Sequence, residues 1–141
     1  GQNPNIKLYD IFAPEALQTI YNQSKGILKE ALRLAENSLK NAAKQMASGI
    51  NPNHCIEVIQ REEQEITLEL KEKHIKILKY LAKVDYVSPS ENIFQQSMNL
   101  SRSHLRLLLE NLVNKGYIRK EKRGKTTLYM ISSQYRPYFA K

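Results

Sequence analysis

Along the first half of the chain, apolar residues recur at three- and four-residue intervals, the spacing of helices. The last third changes to short β-prone runs around a glycine. The stretch "DIFAPEALQTIYNQSKG" predicts a first helix, with Pro14 at the first helical position, where no N–H is needed. Phe12 and Leu17 have the spacing of a hydrophobic staple, Leu17, Ile20 and Tyr21 supply a stripe for burial, and Gly26 is placed to stop the helix. "ILKEALRLAENSLKNAAKQMA" is the strongest helical pattern. Leu28, Leu32, Ala35, Leu39, Ala42 and Met46 form its expected buried stripe, among good helix formers. "SGINPN" breaks the pattern, and Asn51 as N-cap before Pro52 opens a third helix through Ile56 and Ile59. Three short helices of this kind close a small core.

After the acidic "REEQE" the pattern resumes in "LKEKHIKILKYLAKV", with Leu70, Ile75, Leu78, Leu81 and Ala82 on one side. No Gly or Pro separates it from the helix before, so a continuous or bent join is expected, with a domain boundary near residue 65. In "SPSENIFQQSM", Ser88 and Glu91 have capping-box spacing around Pro89, and Ile93 and Phe94 are expected to point inward. "NLSRSHLRLLLENLVNKG" is the next helix: Ser101 is its N-cap, Leu100 and Leu105 have staple spacing, and Gly116 sits at C′. Leu105, Leu108, Leu109 and Leu112 share one face, with Val113 at its edge. Ser103, Arg106, Glu110, Asn111 and Asn114 occupy the opposite face, with Arg102 at the boundary. "YIRKE" and "TTLYMIS" then bracket Gly124 as a β-hairpin.

Charge divides the chain the same way. Residues 1–70 carry seven Lys and Arg against nine Asp and Glu, whereas residues 71–141 carry fifteen against five. The whole positive excess, net +8, therefore belongs to the second half. Arg119, Lys120, Lys122, Arg123 and Lys125 crowd the hairpin tip, which costs repulsion unless an anion or solvent compensates it. The single cysteine, Cys55, excludes an internal disulfide and points to an intracellular protein, cytoplasmic or nucleoid-associated. No apolar run is long enough to span a bilayer, and no signal peptide is visible. The start "GQNPN", without Met, suggests a trimmed piece of something longer.

Three helices followed by a basic hairpin are the order of a winged helix-turn-helix, and "LVNKGYIRKEKRGKTTLYMIS" closely resembles the winged-helix signature. A helix fits the major groove of duplex DNA, and the N-terminal part of a recognition helix meets base edges. Arg102, Ser103 and Arg106 lie there. Arg119, Lys122, Arg123 and Lys125 are the expected backbone contacts, in an interaction that weakens with salt. In the first half, "FAPEALQTIYNQSKGILKEALRLAENSLKNAA", with residues 8 to 60 around it, resembles the helical lid of AAA+ ATPases. In that family a Gly-x-x-Arg motif opens a lid helix, and its Arg reaches the nucleotide phosphates. The matching positions are Gly26, Ile27, Leu28 and Lys29, where Lys29 keeps the charge but lacks the planar fork of Arg.

A lid joined to a winged helix resembles the C-terminal portion of archaeal and eukaryotic origin-recognition initiators. The expectation is a mainly α chain with a lid-like unit over 1–64 and a winged-helix DNA-binding domain over 65–141. The resemblance implies double-stranded DNA and an upstream AAA+ core or other subunits as partners, in DNA replication. With no G-x-x-x-x-G-K-[ST] loop, no ATP is expected to bind to this chain alone; Lys29 would meet it only with that core. Two rivals stand beside this reading. One is a free-standing MarR-like regulator dimerising through its N-terminal helices, the other a winged-helix protein-interaction module without DNA affinity. His54 beside Cys55 lacks further ligands for a metal site. Ser101 or Ser103 with His104 makes a poor catalytic pair, because neighbours on a helix point apart, so no enzyme activity is expected. "SSQYRPYFAK" either caps the winged-helix core or meets a partner.

Overall fold

The computed structural model describes residues 11 to 140, so the "GQNPN" start and the first positions of the lid resemblance lie outside the described residues. These residues are mainly helical with one two-stranded antiparallel sheet. The chain divides into two compact units, Gly1–Glu69 and Leu70–Lys141. The division falls beyond the 64/65 boundary expected from sequence. The reason is local: the third helix runs unbroken through the acidic stretch to Glu69, and only Leu70 and Lys71 leave the helical conformation.

The first unit is three helices: α1 (Pro14–Ser24), α2 (Leu28–Lys44) and α3 (Pro52–Glu69). Pro14 does open α1, and Lys25 (φ 55°) and Gly26 (φ 76°) end it in left-handed backbone. Asn51 caps α3 by accepting from the Asn53 and His54 N–H groups at 2.9 and 3.3 Å, while His54 Nδ1 accepts from Asn51 N–H at 3.1 Å. The segments entering α1 and α3 are tied by Ala13 N–H to Ile50 O and Ile50 N–H to Ile11 O, both 2.8 Å. Phe12, Ala16, Ile20, Leu34, Ala42, Ile50, Cys55 and Val58 form the core.

The expected stripe of α2 is buried only in part. Ala42 is in the core and Ala35 packs against it, but Leu28, Leu32 and Leu39 are exposed (71, 56 and 46 %), as is Met46 beyond the helix end (92 %), while Leu34, Ser38, Asn41 and Glu30 are buried. The buried face is rotated from the expected one by roughly a third of a turn at 3.6 residues per turn. Small side chains on that face let α1 and α3 approach, and its polar members find partners. Asn41 Nδ2 donates to His54 O at 2.9 Å, and Arg33 bonds both Glu30 and, across the helix pair, Glu62. Desolvation by burial pulls the Arg33 pKa down, but the hydrogen bonds and charges of Glu62 and then Glu30 outweigh it and leave the pKa raised. Tyr21 (63 % exposed) and Ile56 (38 %) also turn outward, because Ala16, Ile20, Cys55 and Val58 already fill the space between the helices.

In the second unit, α4 (Glu72–Leu81), α5 (Asn92–Met98) and α6 (Arg102–Asn114) precede β1 (Ile118–Arg123) and β2 (Thr126–Ile131), and α7 (Arg136–Phe139) closes the unit. Ile77, Leu78, Leu81, Phe94, Leu105, Leu109, Leu112 and Tyr129 are buried to 1 % or less. The cap expected at Ser88 is displaced: α5 starts after Glu91. Ser88 Oγ instead accepts from Ser90 N–H at 3.3 Å in a turn before the helix, so Pro89 is not at its first position. Ile93 is 73 % exposed, and the buried side of this seven-residue helix is formed by Phe94 and Met98. Ser101 caps α6 as expected, accepting from His104 N–H at 3.2 Å. The other end of α6 is a Schellman motif: Gly116 (φ 87°) donates to Val113 O and Tyr117 N–H to Leu112 O, both 3.0 Å.

The hairpin pairs Ile118 with Ile131 through Arg123 with Thr126, leaving Gly124 (φ 62°) and Lys125 as the loop. Gly at the first loop position with positive φ is the pattern of a type II′ turn. On its other edge β2 takes up Val87, whose N–H and C=O both exchange 2.8 Å bonds with Tyr129. The C-terminal stretch caps the core: Phe139 is buried, Tyr135 stacks on Tyr117 with ring centroids 4.5 Å apart, and Arg136 donates to Ala82 O at 2.8 Å. A guanidinium there satisfies carbonyls that the end of α4 leaves open.

Candidate nucleic-acid interface

The candidate site starts from α6. Its Leu105, Leu109 and Leu112 are drawn into the core, which turns Arg102, Ser103 and Arg106 of the first two turns outward, all three exposed. The Ser101 cap fixes where that first turn begins.

The hairpin's register then sorts its cations by face, since alternate residues point to opposite sides. Ile118, Lys120 and Lys122 share one face with Ile131, Tyr129 and Thr127. That face meets α6 through one carboxylate. Glu110 accepts from Tyr129 OH at 2.7 Å and from Lys120 Nζ at 3.0 and 3.1 Å. The Tyr129 and Lys120 hydrogen bonds hold the Glu110 carboxyl below its usual range. Burial, then the Glu110 partner, push the Tyr129 phenol up to about 12. So Tyr129 stays a donor, and the hairpin is latched to the helix one turn beyond Arg106.

Above this latch lies a recess of about 270 Å³. It is lined by Arg102 and Arg106 from α6 and by Lys122 and Lys125 from the hairpin, with the hydroxyl-bearing residues Ser88, Ser90, Thr126 and Thr127 around them. Four cations drawn from two elements and edged by hydroxyls make a seat for a phosphate or another oxyanion.

The other residues expected from sequence fall elsewhere. Ser103 is exposed on α6 but does not line the recess. Arg119 and Arg123 belong to the opposite hairpin face, where Arg123 meets Glu121 at 3.5 Å and lies over the Tyr86 ring at 5.7 Å. Lys29 stands exposed in the first turn of α2, in the first unit. Sequence reasoning did not find Glu110, Tyr129 or Ser90 as parts of this site. Glu110 is the lone acid within α6, and that was the available signal, but its partners are 10 and 19 residues away.

His54 and Cys55 are structural: Nδ1 of His54 serves the α3 cap, and the Cys55 thiol lies 3.8 Å from Ala16 O, its pKa raised by burial. Among the described residues no group of three or more metal-ligating side chains occurs, and no helix is long and apolar enough to cross a membrane. No family model, curated protein or solved structure matches this chain.

Proposed function

We propose that the second unit is a winged helix-turn-helix module that grips duplex DNA, with α6 in the major groove and the hairpin along the backbone. In this reading the chain is the C-terminal part of an AAA+ ATPase similar to replication initiators, with its nucleotide-binding core upstream. The element order supports it: three helices, a hairpin, and Val87 bonded to the edge of β2. The observation that carries it is the convergence of Arg102, Arg106, Lys122 and Lys125 on one recess, beside the hydrogen bond by which Tyr129 joins the hairpin to Glu110 of α6. Arg102 and Arg106 are the groove readers, since Arg is the commonest specific partner of guanine. Lys122 and Lys125 hold phosphates, and Arg123 and Arg119 reach flanking backbone from the outer hairpin face.

The test is binding to a labelled duplex across a salt series. Lys122→Ala with Lys125→Ala should weaken binding and lower the salt slope by about 0.9 per lost phosphate contact. Arg102→Ala or Arg106→Ala should each cost ~1–3 kcal/mol on a preferred sequence. Absence of wild-type binding at low salt refutes the proposal.

One observation favours a second reading of the first unit. The exposed Leu28, Leu32 and Leu39 share a stripe of α2 that fits a partner helix, as in a MarR-like regulator dimerising through its N-terminal helices. A dimeric solution mass at micromolar concentration supports that reading, and a monomer supports the ATPase fragment.

A further inference from the structure

The recess accounts for only part of the positive charge of the second unit. Lys73, Lys76, Lys79 and Lys83 are all exposed, and among the described residues none makes an ion pair. None of them lines the recess. The buried face of α4 is set by His74, Ile77, Leu78 and Leu81; at 100° per residue Lys76 and Lys79 fall opposite it, and exposed Lys83 follows in the turn after the helix. They therefore form a stripe directed away from the core.

Such a stripe is not what helix stability alone selects. Lys73 and Lys76, Lys76 and Lys79, and Lys79 and Lys83 stand three or four positions apart, where like charges repel. Glu72, four residues before Lys76, forms no ion pair with it. The helix dipole favours cations at Lys79 and Lys83 near the C-terminus but not at Lys73 and Lys76 in the first turns. A polyanion would compensate all four at once. From Lys76 to Lys79 the axis rises ~4.5 Å, over which a duplex presents about three phosphate charges, with Lys83 extending the basic surface beyond the helix end.

We propose that the outward face of α4, together with the turn that follows it, is a second duplex-binding surface, so that one chain holds two segments of duplex DNA and bridges them. The proposal rests on the reading of the recess as a duplex seat. The surfaces are distinct, however, and separate substitutions address them.

The experiment uses one duplex fixed to beads and a second, fluorescent duplex in solution, with the full chain between them. Wild type should retain the fluorescent duplex on the beads. The triple variant Lys76→Gln, Lys79→Gln, Lys83→Gln should bind a single duplex within about threefold of wild type at low salt, yet lose capture of the second by at least about tenfold. Lys→Arg at the same three positions should restore capture, which separates loss of charge from loss of fold. The Lys122→Ala, Lys125→Ala variant reports on the recess and should lose single-duplex affinity. Wild type that binds one duplex without capturing another overturns the bridging proposal and leaves the recess reading intact. Capture by the triple variant equal to wild type also overturns it. Failure of wild type to bind any duplex overturns both.

Discussion

Replacing Tyr129 by Phe removes one hydroxyl from the joint between α6 and the hairpin and leaves the buried ring in place. That hydroxyl donates to Glu110 at 2.7 Å, and bonds to charged groups contribute ~1.5–3 kcal/mol. The Glu110 side chain is 33 % exposed and keeps Lys120 as a partner, so solvent replaces part of the loss and the lower end applies, ~1–2 kcal/mol. The alkaline side gives a second, independent readout. The folded phenol titrates near 12 instead of 10, so its contribution to stability is complete below pH 10 and drains away as pH rises towards 12. At about 1.4 kcal/mol per pKa unit the full effect is ~3 kcal/mol, an upper bound on what the hydroxyl contributes. Urea unfolding of the full chain, followed in the second unit by amide hydrogen exchange at Leu112 and Ile131, measures both. Tyr129→Phe should be less stable at pH 8 and lose less than wild type between pH 9 and 11. Equal stability at pH 8, or an unchanged alkaline slope, refutes the latch.

On the acid side, His74 is the group to follow. Its Nδ1 accepts from Lys71 N–H at 3.4 Å, its Nε2 is buried without a partner, and its pKa is lowered by burial and then by Lys115 and Lys71. A folded pKa below the unfolded 6.5 means that its contribution is complete above that value and falls away as pH drops below it. The second unit should lose thermal stability between pH 7 and 5, and His74→Gln should flatten that dependence; a parallel loss in the variant sinks the idea. In the first unit, Leu34→Ala should cost ~2–4 kcal/mol, whereas Leu32→Ala, on the exposed stripe, should stay within about 0.5 kcal/mol in urea melts of the monomer. Reversal of that order would show that the sequence stripe, not the structural one, is buried in solution.

Local chemistry is what the sequence determined by itself. Pro14 opening α1, Asn51 before Pro52, Ser101 and Gly116 bounding α6, and Gly124 in the hairpin loop all act within about five residues of themselves, so their consequences can be read from neighbours alone. The charge imbalance between the halves was equally plain. The register of the hairpin is what separated Lys120 and Lys122 from Arg119 and Arg123, which the sequence alone groups together at the tip.

Which of those two faces meets α6 was decided only by folding, when Glu110 found Lys120 and Tyr129 from another element. The face of α2 was decided the same way. Its Leu stripe satisfies helical periodicity as well as the face that is buried, and periodicity cannot rank two such faces. The choice went to the side whose small residues admit neighbouring helices and whose Asn41 and Arg33 meet the His54 carbonyl and Glu62. Caps are short-range bonds, so the starts at Pro14, Pro52 and Arg102 were legible, although the start of α5 after Glu91 and not after Ser88 was not. Burial of one face over another depends on partners brought together by tertiary packing, and the gathering of Arg102, Arg106, Lys122 and Lys125 around one recess belongs to that second kind.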